Sequence, residues 1–339
     1  MDNNHRESTH LFFNYRINTA YMKNISFNVI KRFTIECLQL ALIVLLFNWC
    51  FKTVNWVKFI ETITTISFPL FLIVLIHRFL PWIFLGFRLH SLFGNKLDIV
   101  DGIKASLLCV GLNSILPSRA GDIAKVGWLK MNSGIAFYDL LGGIFIERLL
   151  DVSILSIALL SVLYTLSLYE YALFLLFLAF LMWLALIFVR YESKLILSVV
   201  SYIKSKSIFH WFAHVLLKIK NKLVKEILLK LLGYSVCIWL MNFLHVLLVI
   251  MLLTNLELSL YEIFVVFVAV FASSAFGVVP GGIGVMESAV IYVSTEVIHL
   301  DMTYALVLAT FFRFFYSVPS ILSASIVMLT SKIKFRVQH

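Results

Sequence analysis

The chain has 339 residues, 61% of them hydrophobic and only 14% charged, with a formal net charge of +10. Soluble domains run nearer half apolar and a quarter charged, so this much apolar surface excludes an ordinary water-soluble fold and has to face lipid. The basic residues cluster in polar connectors between apolar runs, which argues against a nucleic-acid partner and for contact with anionic lipid headgroups.

Residues 1–32 are polar and basic and lead into a long apolar run, unlike the short apolar core and small-residue cleavage site of a signal peptide. They are expected to form a cytoplasmic N-terminal segment ahead of a membrane domain over 33–330, with a cytoplasmic tail at 331–339. A helix needs about 20 apolar residues to cross a ~30 Å hydrocarbon core. Six segments qualify: 33–51, 63–86, 136–165, 170–189, 228–254 and 302–330. Two further apolar regions, 104–130 and 262–299, are broken near their centres, at Leu116-Pro117-Ser118-Arg119-Ala120-Gly121-Asp122 and at Val279-Pro280-Gly281-Gly282-Ile283-Gly284. Their halves are too short to span. The expectation is an all-α integral membrane protein of six transmembrane helices and two re-entrant helical hairpins, whose irregular tips lie where protein or a watery cavity satisfies the backbone.

Lys and Arg placement sets the orientation. The N-terminal segment, the 190–227 connector and the tail are basic, whereas the connectors near 166–169 and 255–261 carry no Lys or Arg. Six crossings with both termini in the cytoplasm fit this pattern in a cytoplasmic (inner) membrane. In the basic connector Ile208, Phe212, Val215, Ile219 and Leu223 recur at helical spacing, which predicts an amphipathic interfacial helix. Both hairpin tips read Pro-x-x-x-Gly before an acid: Pro117 and Gly121 before Asp122, Pro280 and Gly284 before Glu287. An arginine follows in the next span, Arg148 and Arg313 respectively. With three crossings in each half, this points to an inverted repeat with broken helices meeting near the midplane.

Charges inside the membrane are expensive and mark function or pairing. Arg119, Asp122, Glu147, Arg148, Asp151, Glu287 and Arg313 all fall in or near apolar segments. Glu147 and Asp151 share a helix face, and Arg148 neighbours Asp151. Two acids beside one arginine leave a carboxylate that could pair with Arg119 or Arg313, or hold a proton. The half-helices after the prolines offer free N–H groups to phosphate. Ser118 is placed to cap the first, Gly281 and Gly282 permit close backbone approach, and Arg119 supplies a planar donor fork. The plainer readings are a static charge network and a tight glycine turn. His77 and Arg78 are expected to snorkel toward headgroups, and His245 to be a satisfied buried histidine. The four cysteines, Cys37, Cys50, Cys109 and Cys237, lack paired or metal-ligand spacing, and no HExxH, GxSxG or Walker-type motif occurs. Neither a metal nor a cofactor is expected.

Asn113-Ser-Ile-Leu-Pro117-Ser-Arg119-Ala-Gly121-Asp122, Glu147-Arg148-Leu-Leu-Asp151, Pro280-Gly-Gly-Ile-Gly284-Val-Met-Glu287 and Arg313, in this order and spacing, resemble the flippase-like domain family, the transmembrane region of the lysylphosphatidylglycerol synthases and of stand-alone relatives. That pattern commonly has Gly-Glu at Gly121-Asp122 and often an arginine near Lys125. The resemblance implies movement of a membrane phospholipid or lipid-linked glycan intermediate between leaflets. With the charges and tips read above, lipid phosphate is expected to be bound by Arg119, Arg148, Arg313, Ser118, Gly281 and Gly282, with Asp122, Glu147, Asp151 and Glu287 balancing charge or coupling protons. With His339 so soon after the last span, no aminoacyl-transferase domain and no lysyl transfer are expected, and a transporter is favoured over an enzyme. One rival is a polyprenyl-phosphate-dependent glycosyltransferase, which would rest on Glu61 in the 52–62 loop. Another is a noncatalytic scaffold in an envelope-lipid pathway. Homodimerisation is left open, since no interface motif stands out.

Overall fold

The computed structural model describes residues 55–116, 119–191, 225–253, 256–273 and 280–331, and every regular element among them is helical. The expected first span, the amphipathic stretch at 208–223, most of both terminal segments, and Pro117 and Ser118 lie outside the described residues.

Helix α1 (Trp56–Thr64) is capped by Asn55, whose side chain accepts the Lys58 N–H. Helix α2 (Phe68–His77) opens with Pro69 in its first turn, where no N–H is needed. It continues through Arg78, whose φ/ψ of −59°/−25° is helical, into α3 (Phe79–Phe93). Together Phe68–Lys96 make one apolar rod of 29 residues. The span expected at 63–86 is therefore displaced. Thr65-Ile66-Ser67 interrupt the helix, so the rod begins at Phe68 and carries Arg88 within it.

The region expected to break does so. Helices α4 (Ile99–Asn113) and α5 (Ala120–Ser133) pack on each other. At 1.5 Å per residue each is roughly 21–23 Å long, short of a ~30 Å hydrocarbon core. Asp98 caps α4 by accepting the Val100 N–H, and Gly134 ends α5 with a left-handed φ of 67°. Helix α6 (Phe137–Thr165) follows, then α7 (Tyr169–Tyr191) and α8 (Lys225–Met251). Helix α9 (Leu260–Ser273) starts in a capping box: the Ser259 hydroxyl accepts the Glu262 N–H, and Glu262 accepts the Ser259 N–H. After the second break come α10 (Val285–Tyr292), a π-turn at 293–297 and α11 (Met302–Thr330).

Among the described residues, Phe68–Lys96, Glu226–Met251 and Met302–Thr330 are long and apolar enough to cross a membrane. Helix α6 is as long as α11, at 29 residues, but carries Asp139, Glu147, Arg148 and Asp151. Leu89, Leu92, Ala105, Val126, Leu129, Ile146 and Leu150 form the main core between α3, α4, α5 and α6. Small residues set how closely α4 approaches its neighbours. A Cβ on Gly111 would collide with the Ser320 carbonyl and the Ala324 methyl of α11, and one on Gly86 would strike Ile103.

Candidate functional site

The two hairpins bring their tips together. Gly281 adopts φ 61°, and a Cβ there would overlap the Ser114 carbonyl at the end of α4. The Ser114 hydroxyl is in turn 2.7 Å from that of Ser320 on α11. Within the first tip, Asn113 accepts the Gly121 N–H at 2.9 Å, and a side chain at Gly121 would meet the Cys109 carbonyl. The N-cap position of α5 is Arg119, held at φ 54°, whose own side chain makes no capping bond; Ser118, the expected cap, lies outside the described residues. A left-handed backbone is costly for a residue with a Cβ, and such strain concentrates at functional positions.

Each tip ends in an acid–arginine pair of matching register. Asp122 lies 3.9 Å from Arg148 Nη2, and Glu287 accepts from Arg313 Nε at 2.5 Å and from Nη2 at 2.7 Å. In both cases acid and arginine are 26 residues apart, and the arginine is the twelfth residue of a 29-residue helix. The repeat read in the tip motifs is thus also present in side-chain pairing. The two pairs differ in tightness. Arg313 also donates to the Gly281 and Gly282 carbonyls, at 2.8 and 3.0 Å, and Glu287 accepts the Gly284 N–H at 2.9 Å. Arg313 thereby pins the second tip with most of its donor capacity, and one of the N–H groups at that helix start, the one on Gly284, is taken by Glu287.

Behind the first tip lies a buried charge network. Glu147, 0% exposed, accepts from Lys125 Nζ at 2.6 Å and from Arg88 Nε at 3.4 Å. Arg88, also 0% exposed, grips Asp151 with both terminal nitrogens, at 2.6 and 3.2 Å, and donates to Ser235 on α8 at 3.0 Å. Asp151 is also 3.6 Å from Arg148, and Asp122 accepts a bond from the Cys109 thiol. Arg88, Lys125 and Arg148 are thus matched in number by Asp122, Glu147 and Asp151. The carboxylate left over in the sequence reading is claimed by Arg88 and Lys125. Arg88 was missed because it falls just past the expected end of its span. Lys125 was noted only as a departure from a family pattern, although it follows Asp122 by one helical turn.

A cavity of about 410 Å³ opens between these elements. Among the described residues five basic side chains line it, Arg78, Arg119, Lys125, Arg148 and Arg313, against one acid, Asp151. Asn113, Gly281 and Gly282 are on its wall, whereas Asp122, Glu147, Gly121, Gly284 and Glu287 stand behind it. Several buried donors on this wall have no hydrogen-bond partner: Arg148 Nε, Arg78 Nε, Trp239 Nε1 and the Tyr316 hydroxyl. Buried donors are rarely left unsatisfied, and each such group needs a reason.

Two expectations fail here. Arg78 does not snorkel: it is 6% exposed, donates to Asn242 at 3.0 Å and lies 3.8 Å over the Tyr316 ring. The cause is that the rod continues well beyond it, to Lys96, which places Arg78 inside the body. His245 is buried as expected but not satisfied. Neither ring nitrogen has a partner, and the ring stacks on His77 at 5.8 Å.

Broken helices around an internal charged cavity, among helices apolar enough to span a bilayer, define a multi-pass α-helical membrane protein. The chain belongs to the family described as the lysylphosphatidylglycerol synthase TM region, whose model matches residues 37–323. That family places the protein among membrane proteins with a lipid-related role. No curated protein and no solved structure matched the chain.

Proposed function

We propose that the protein carries an anionic phospholipid or lipid-linked intermediate between the leaflets of the cytoplasmic membrane, the headgroup passing through the cavity between the hairpin tips. In this reading both termini are cytoplasmic and the two hairpins enter from opposite sides. The observation that carries it is the cavity wall itself: basic side chains in excess, with the buried Arg148 Nε lacking a partner. A guanidinium in a low-dielectric wall binds a phosphate oxygen strongly and does so through a planar fork. Arg119 and Arg148 are assigned the phosphate. Arg313 holds the second tip in shape, with Gly281 and Gly282 as its anchor points. Asp122, Glu147, Asp151 and Glu287 balance the charge and are the candidates for proton coupling.

Reconstitution of the purified protein into liposomes containing fluorescent analogues of phosphatidylglycerol, other anionic phospholipids and polyprenyl phosphate tests this directly. Leaflet exchange above protein-free vesicles, reduced at least tenfold in Arg148→Gln, is expected. Exchange at the protein-free rate across the whole panel would rule the reading out. The glycosyltransferase rival loses ground on placement: Glu61 lines a separate surface pocket with Lys58 and Tyr304, away from the charged cavity. A scaffold would retain function in Arg148→Gln wherever the protein accumulates normally.

A further inference from the structure

One cation in the cavity stands apart from the matched set. Arg78 has no carboxylate within ion-pair distance among the described residues, although it is almost wholly buried. Among the described residues its guanidinium donates to the neutral Asn242 oxygen, and its Nε has no partner. Two other unpartnered buried donors belong to residues on the same wall: Trp239 Nε1 from α8 and the Tyr316 hydroxyl from α11. A buried charge persists only when paired or otherwise solvated. Here three helices bring a guanidinium, an indole N–H and a phenol to one wall where, among the described residues, Asn242 accepts from Arg78 and no carboxylate pairs with it.

This group is separate from the Arg148 end. Arg88 follows Arg78 by ten residues on the same rod, about 15 Å along the axis. Arg88 grips Asp151, and Asp151 neighbours Arg148. Arg78 and Arg148 thus each bring an unfilled Nε to the cavity from separate elements, and at about 410 Å³ it has room for more than one phosphate.

We propose that Arg78, Trp239 and Tyr316 form a second oxyanion subsite, so that the preferred ligand is a lipid headgroup carrying two phosphate groups, one for each end of the cavity. This rests on the reading of the cavity as a lipid-headgroup site. A lipid with a single phosphate occupies the Arg148 end and leaves Arg78 unused.

The test is binding to the purified full chain in uncharged detergent, with phosphatidylglycerol (one phosphate), cardiolipin (two phosphates joined by glycerol) and inorganic phosphate as probes. Cardiolipin is expected to bind at least tenfold more tightly than phosphatidylglycerol. Arg78→Gln should abolish that preference while changing phosphatidylglycerol binding less than twofold, and Arg148→Gln should weaken both lipids. Tyr316→Phe removes only the hydroxyl, spares the ring beneath Arg78, and should lower cardiolipin affinity several-fold, so the question stays answerable if Arg78→Gln does not fold. Equal binding of the two lipids to the wild type, or a preference untouched by these variants, overturns the second subsite. Inorganic phosphate that displaces cardiolipin at low millimolar concentration would assign the subsite to free anions and overturn the lipid assignment. Failure of every lipid to bind would count against the headgroup reading itself, a distinct result.

Discussion

Glu147 is the residue on which most buried charge depends. It holds two cations, Arg88 and Lys125, neither of which reaches water. Removing one partner of a buried pair strands the other charge, at a cost of about 3–5 kcal/mol. Glu147→Gln is therefore expected to lower the unfolding temperature sharply or prevent accumulation, as read by thermal unfolding of detergent-solubilised protein. Asp301 is a milder case at the water-facing end of α11. Its carboxylate caps the helix by accepting the Thr303 N–H at 2.8 Å, and this bond first, with nearby Lys58 adding less, holds its acidity below the usual carboxylate range. Asp301→Ala should cost about 1 kcal/mol. A depressed carboxyl pKa stabilises the fold fully above its unfolded value of about 3.9 and ceases to as pH falls through the folded value. The difference in melting temperature between wild type and Asp301→Ala should thus be constant near neutrality and vanish in strong acid.

At the level of elements, α4 is the tightly fitted part. Gly111 leaves no space for a methyl against Ser320 and Ala324, whereas Gly127 on α5 faces open space. Gly111→Ala should destabilise by about 1–3 kcal/mol through overpacking. Gly127→Ala should be neutral or stabilise by up to about 1 kcal/mol through helix propensity. Thermal unfolding of the pair separates close packing from propensity. The broken hairpins were legible in the sequence because Pro and Gly interrupt runs too short to span, a purely local signal. Arg88 was not legible as a site residue, because its role depends on where α2 begins, and three residues at 65–67 shift that start. The pairing of Glu147 was equally out of reach, since Lys125 and Arg88 come to it from helices whose packing no local pattern encodes. Arg78 was misread for the same reason: a basic residue near an expected span end looks like a headgroup anchor until the span is known to continue.

For the whole molecule, the charge pattern and the hairpins together make a claim about sidedness. If both hairpins turn back within the bilayer, the turn at Ser167 is external and the turn at Gly94 is cytoplasmic. In a background lacking the four native cysteines, Ser167→Cys is expected to react with a membrane-impermeant maleimide in intact cells, and Gly94→Cys only after permeabilisation. If the 104–130 region instead made one single crossing, the two positions would lie on the same side and label together. The repeated acid–arginine register is tight at Glu287–Arg313 and looser at Asp122–Arg148.

The meeting of Gly281 with the Ser114 carbonyl has a consequence for how the sequence can drift. That contact is made by backbone on both sides, so it asks nothing of the side chain at 114 beyond its hydroxyl bonds to Ser320 and the Val110 carbonyl, and everything of the missing side chain at 281. A saturation library read out by surviving protein should therefore be lopsided at this junction. Position 114 should admit alanine, cysteine and threonine, while position 281 should admit nothing but glycine, because every replacement adds a Cβ at a positive φ and drives it into a neighbouring carbonyl.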